Sequence, residues 1–170
     1  MKGSEGTPGF PRCAAEDAVI ALSKFGVRSS VVRLAPCVHD ETRQGFATAL
    51  AYVAREKGVS AYVANGTNRW PAIHRLDAAK LFRLALELAP AGTRLHGVGE
   101  EGIPLSTIAE AIGRRWNLPV TSISDEEVGE HFGWLSPFVS FDNPASSDRT
   151  QELLNWKPQG NTLISDIANT

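Results

Sequence analysis

The side chains in this 170-residue chain that could move a proton, hold a metal or make a covalent bond are few and scattered. His39, His74, His96 and His131 are the histidines. Their spacing matches no metal-ligand pattern, so a metal site is not expected. Cys13 and Cys37 sit in unrelated contexts and read as small core thiols of a reduced, cytoplasmic protein. Ser23, Ser29 and Ser30 lie in no G-x-S-x-G turn, which leaves a Ser/His/Asp hydrolase without support. Nor does any G-x-G-x-x-G follow a strand, so the backbone cradle that receives a pyrophosphate at a helix N-terminus is missing. Arg33 interrupts an otherwise apolar strand and has two readings. It is either a cation at the carboxyl end of a sheet, where ligands gather, or a buried arginine paired with Asp77 or Glu16. Asp77 reads as a helix cap. Phe132, Trp134, Phe138 and Phe141 cluster between helices and read as a pocket wall or as core.

These residues are carried by an ordinary globular composition, 42% hydrophobic and 21% charged. A net charge of −2 gives no electrostatic case for nucleic acid or an anionic membrane. No stretch approaches the roughly 18 apolar residues of a membrane span, and Met1–Pro8 has no apolar core of a secretory signal. The length suits one domain with a substantial core.

Residues 1–11, rich in Gly and Pro, predict a loose entry segment. Apolar residues recur at helical spacing from Ala14 to Phe25, and Gly26 ends the pattern. Ser29 to Ala35 is β-branched and apolar at neighbouring positions, as a strand covered on both faces would be, and Pro36 stops it. A helix from about Gln44 to Lys57 carries Phe46, Leu50 and Val53 on one stripe. Val59–Val63 reads as a strand, Asn65-Gly66 as a turn, Trp70–His74 as a short extended piece, and the residues after Asp77 as a helix. Arg94–Val98 is one more strand; the link over 99–103 is taken as a connection. Beyond it the texture is helical: Pro104–Trp116, a helix opened by Ser124–Glu127 as a capping box, one from Ser147 or Asp148 through Leu154, and one over Leu163–Ile167. The class is α/β, divided as an α/β part over 12–99 and a mostly helical lobe over 100–170.

Four phrases in this order resemble the extended, atypical short-chain dehydrogenase/reductases of the NAD(P)-dependent epimerase/dehydratase type. The stretch from Gly26 through Arg33-Leu34-Ala35-Pro36-Cys37-Val38 to His39 is similar to that family's R-x-P-x-V-x-G strand and loop. Asn65 through Asp77-Ala78 resembles its strand and Asp-Ala helix opening. Gly102-Ile103-Pro104-Leu105 with the following helix, and Leu154-Asn155-Trp156-Lys157-Pro158, resemble its C-terminal phrases. The resemblance implies the C-terminal part of a Rossmann-type parallel sheet with a smaller, mostly helical substrate-binding lobe. It implies NAD or NADP as cofactor and a small-molecule substrate. Pro36, Val38 and His39 would line the nicotinamide side, and Trp70 and Phe138 the substrate side.

The resemblance also marks absences. The family's Tyr-x-x-x-Lys is not here: Tyr52 is followed four residues on by Glu56, and Tyr62 by Gly66. Placing the family's Ala-Glu pair on Ala15-Glu16 sets Arg12 at the position of its lysine and Pro8 at that of its tyrosine. Acid–base help of this kind is worth about 10²–10⁴ in rate. No catalytic residue is therefore assigned, and the chain is expected to bind cofactor poorly and to be inactive alone. Trp70 stands where the nucleotide-sugar epimerases carry a diphosphate-binding arginine; Arg69, one place off, faces the opposite side. That implies a smaller or more apolar substrate, the alternative for Trp70 being core. The expected partner is a complementary N-terminal half. The rival reading is a non-catalytic interaction module that self-associates through the exposed edge of the strand at Val31 and Val32.

Overall fold

A computed structural model of the chain describes residues 10–169. Most of the loose segment expected over 1–11, with Pro8, lies outside the described residues; α1 (Phe10–Ala21) already begins at Phe10. Its last turn tightens into a 3₁₀ turn at Leu22–Phe25. Gly26, at φ +79°, ends it by returning its N–H to the carbonyls of Leu22 and Ser23. Then come β1 (Ser30–Leu34), β2 (Cys37–His39), α2 (Phe46–Lys57), β3 (Ser60–Val63), β4 (Arg69–His74) and α3 (Arg75–Leu88). The second half holds β5 (Thr93–Gly97), β6 (Glu100–Pro104), α4 (Leu105–Trp116), β7 (Val120–Ile123), α5 (Val128–Phe132), α6 (Ser136–Val139), α7 (Asp148–Leu154) and α8 (Leu163–Asn169).

The connection expected over 99–103 is largely β6, which pairs antiparallel with β4, Trp70 opposite Ile103. Its Glu-Glu-Gly start hides a strand that only its neighbour calls into being. β2 lies parallel on the other side of β4, with His39 opposite His74, and β3 pairs parallel with β7. These two sheets draw strands from either side of residue 99. One core gathers α2, β3, α4, α8 and the buried faces of α5 and α6 around Trp70, Leu105, Ile108 and Leu135. The other packs α3, β5 and α7 through Ile73, Leu81, Leu95 and Trp156.

β1 departs from the rest. It pairs parallel with β5, Val32 opposite Leu95, and no strand among the described residues takes its other edge. Its residues are only part-covered and Leu34 is exposed, although the run Val31-Val32 has the composition of a strand enclosed on both faces. No described side chain of α1 is buried: Ala14, Ala15, Ala18 and Val19 all face solvent. Phe25, in the 3₁₀ turn that follows, is 81% exposed. Burying side chains such as Val19, Leu34 and Phe25 ordinarily contributes about 1.5–3 kcal/mol each.

Candidate functional site

The carboxyl end of β1 leads directly to Pro36, half-buried, whose carbonyl accepts the N–H of Phe46 at 3.4 Å. Gly45 makes that approach possible. Its φ is +58°, and a Cβ there would stand 2.7 Å from the Pro36 oxygen and 2.9 Å from the Val38 nitrogen. The start of α2 is thus laid against the loop that begins at Pro36. Cys37 lies beneath it with no exposed surface; burial pushes its thiol up to about 12, so it stays a neutral core group. Val38 is half-buried on the same loop.

His39 stands behind this loop rather than on its face. It is 1% exposed, its Nδ1 is 2.7 Å from Asp166 Oδ2, and the two side chains are fully enclosed. Nε2 has no hydrogen-bond partner and faces Glu100 Oε2 at 3.7 Å. His74 packs edge-on at 5.6 Å between ring centres, its Nε2 3.9 Å from Asp166 Oδ2. Asn161 donates to the other oxygen of Asp166, and Glu100 accepts the N–H of Leu163. The cluster therefore ties α8 to β2, β4 and β6. A side chain this enclosed offers a cofactor almost no surface, so the direct contact expected of His39 is not what this arrangement presents. The next residue, Asp40, gathers the Thr42 hydroxyl, the N–H groups of Thr42 and Arg43, and Arg75 at 2.6 Å. Those donors, the Thr42 hydroxyl foremost, hold its carboxyl down at about 2.

Trp70 and Phe138 do come together. The Trp70 indole is buried and donates to the Phe138 carbonyl at 3.3 Å. Phe46 lies between: its ring is 5.7 Å from that of Trp70, 5.5 Å from Phe138 in a stacked pose, and 6.1 Å from Trp134. Next to this group Arg69 forms a two-pronged pair with Asp142, Nε to one oxygen at 3.0 Å and the terminal nitrogen to the other at 2.8 Å, with the Arg69 N–H on the same carboxylate. That hydrogen-bonded pair raises the Arg69 pKa and lowers that of Asp142. A polar recess of about 440 Å³ opens there, lined by Asn65, Asn68, Arg69, Asp125 and Asp142 among others. A larger one, about 820 Å³, lies at the amino end of β5 beside Arg94 and Arg149.

Arg33 takes the structural reading: its guanidinium forks onto Glu16 of α1 at 2.6–3.2 Å, which lowers the glutamate's pKa and raises its own. Asp77 does not cap α3. His74 does so, accepting the N–H of Leu76, while Asp77 turns outward from its helix to accept the N–H groups of Gln159 and Gly160. The expected capping contact near residue 124 exists as Glu127 reaching the Ser124 N–H, in the turn before α5. Among the described residues no group of three or more His, Cys, Asp or Glu is placed to hold a metal, and no helix is long and apolar enough to cross a membrane. Asp166 carries no motif, but an acid between Leu163 and Ile167 on the buried face of a short helix is a signal of a buried partner. In the sequence Phe46 shows only as one member of an apolar helical stripe. Asp142, in an irregular segment, carried no signal at all.

The arrangement of parallel strand, loop and helix defines a part of a Rossmann-type fold, and similar solved structures bear this out. dTDP-glucose 4,6-dehydratase from Streptomyces venezuelae, with NAD bound, matches with a TM-score of 0.70 at 14% identity, over 99% of this chain and 52% of that one. A nucleoside-diphosphate-sugar epimerase from Pseudomonas aeruginosa matches with 0.72 at 13% identity, over 97% and 54%. UDP-glucose 4-epimerase from Thermotoga maritima, with UDP-glucose, gives 0.70 at 13%, over 100% and 58%. At such identities the likeness is one of fold. In sequence, the chain is 51% identical over 162 residues to an uncharacterized protein of Schizosaccharomyces pombe, and 43% identical over 156 residues to one of Saccharomyces cerevisiae. It spans about half the length of these curated relatives, 55% and 52%. No protein-family model matches the chain.

Proposed function

We propose that the chain is the C-terminal, substrate-side portion of an NAD(P)-dependent oxidoreductase of the epimerase/dehydratase type, inactive until a nucleotide-binding part completes it. The observation that carries this reading is the open edge of β1 together with the uncovered apolar face of α1. Both are what remains of a parallel sheet when the strand and helix that should cover them are elsewhere. The half-length coverage of relatives and of solved structures agrees with it.

The residues present fit one end of a dinucleotide and not the other. Pro36 and Val38 form a half-buried, apolar wall at the carboxyl end of β1, suited to a nicotinamide ring. No Gly-rich turn opens a helix, so the pyrophosphate would be held by the completing part. When bound, the cofactor would supply the hydride. This chain's own contribution is positional. Through Asp166, His39 fixes the loop from behind, and Trp70 with Phe138 shapes the substrate side. No described tyrosine–lysine pair is available to move the substrate proton.

The test is titration of the chain with NADH and NADPH, alone and with the unmatched part of the Schizosaccharomyces pombe relative supplied in trans. Saturation is expected only with both parts present. Micromolar saturation of the chain alone would overturn the reading.

The same edge favours a second reading, a non-catalytic module that pairs β1 with another chain. It predicts self-association in sedimentation; a monomer at high concentration counts against it.

A further inference from the structure

The ring cluster at the start of α2 has more exposed surface than a core needs. Trp134 is 65% exposed and Phe138 44%, the two rings are 6.5 Å apart, and Phe46 stacks on Phe138 beneath them. Single exposed aromatics are ordinary, whereas contiguous ones mark a contact surface. Its location is specific. Phe46 is held by its backbone against Pro36, so the rings adjoin the carboxyl end of β1, the position where open α/β sheets receive ligands.

The polar groups beside the rings are already committed. The Trp70 indole N–H is taken by the Phe138 carbonyl. The Arg69 guanidinium, the cation next in sequence, has its Nε edge taken by both oxygens of Asp142, whose charge offsets its own. A phosphate arriving here would meet a cation already neutralised and would lie beside the negative charge of Asp142. A flat, uncharged ring needs no such exchange: it offers a face to Trp134 and Phe138 and displaces only water.

We propose that Phe46, Trp134 and Phe138 form the seat of an uncharged, largely apolar ring compound, and that the Arg69–Asp142 pair excludes phosphorylated ligands from it. This rests on reading the chain as a substrate-side portion and names the class of substrate.

The seat lies wholly within this chain, so the test needs neither cofactor nor a second part, and its failure is separate from failure of the cofactor titration. The Trp134 indole N–H resonance, assigned with Trp134→Phe, is followed while the chain is titrated with 1-tetralone and, separately, with uridine diphosphate. Saturable shifts are expected with the ketone and none with the diphosphate. Trp134→Ala, read by saturation transfer to the ketone, and Phe138→Ala should each weaken ketone binding about threefold to tenfold, the worth of one aromatic contact. Far-UV circular dichroism checks that the exposed-site variants stay folded. Asp142→Ala should admit uridine diphosphate by releasing Arg69. The proposal is overturned by absence of ketone binding, by ketone binding indifferent to both ring deletions, or by saturable diphosphate binding to the unaltered chain.

Discussion

Deleting the carboxylate at position 166 asks whether α8 is anchored to β2 by the pair that His39 and Asp166 form. Both side chains are enclosed, with Nδ1 and Oδ2 2.7 Å apart. Asp166→Ala removes the acceptor and leaves the imidazole where water cannot reach it; Asn161 loses its acceptor as well. Breaking such a buried pair from one side costs about 3–5 kcal/mol, out of a total of about 5–15 kcal/mol for a domain. At roughly 2–4 °C per kcal/mol for a chain of this size, Tm should fall by about 6–20 °C. Replacing both partners, His39→Leu with Asp166→Leu, removes the stranded group along with the pair and should recover most of the loss. Urea unfolding followed by tryptophan fluorescence measures both variants, Trp156 being fully buried in the neighbouring core. A single variant costing under about 1 kcal/mol, the net worth of an ordinary hydrogen bond, would refute the anchoring role. So would a double variant less stable than the single one.

Further outcomes follow from other contacts. Asp77→Ala strands the N–H groups of Gln159 and Gly160 and should cost about 1–3 kcal/mol, with faster amide exchange confined at first to that turn. Gly45→Ala meets the Pro36 oxygen at 2.7 Å in a backbone region that side chains avoid. It should destabilise by about 1–3 kcal/mol in thermal unfolding and leave the secondary structure intact. Asp40 is held below its ordinary 3.8, at about 2, so its stabilisation is present above 3.8 and is lost as pH falls toward 2. Acid unfolding of Asp40→Asn should therefore converge on that of the unaltered chain at low pH; a gap that stays constant down to pH 2 would contradict the assignment. Val31→Lys places a charge on the open edge of β1 and should abolish any self-association seen in sedimentation, with little change in helix content.

Helices were legible because each carries its own code. The stripe of Leu50 and Val53 with Gly58 behind it, or of Ile108 and Ile112 before Asn117, specifies period, face and stop within a dozen neighbouring residues. β1 was legible for the same local reason, its run of β-branched residues before Pro36. β6 and β7 were not. Glu100–Pro104 has no strand pattern of its own and becomes a strand by pairing with Trp70's strand; Val120–Ile123 is rich in β-branched residues but is only four residues long, and pairing with Ser60–Val63 fixes it. The site divides in the same way. Pro36 and Trp70 could be singled out from their phrases and Phe138 from its aromatic cluster, whereas the role of each depended on distant partners. His39 meets Asp166 across 127 residues, Arg69 meets Asp142 across 73, and Asp77 turns from its own helix to the loop at Gln159, 82 residues away. Local sequence determines periodicity and turn chemistry because those energies act between neighbours. Which histidine is sealed off, which arginine is neutralised and which face is left bare were decided only when the chain closed on itself, because burial and charge pairing belong to the packed arrangement.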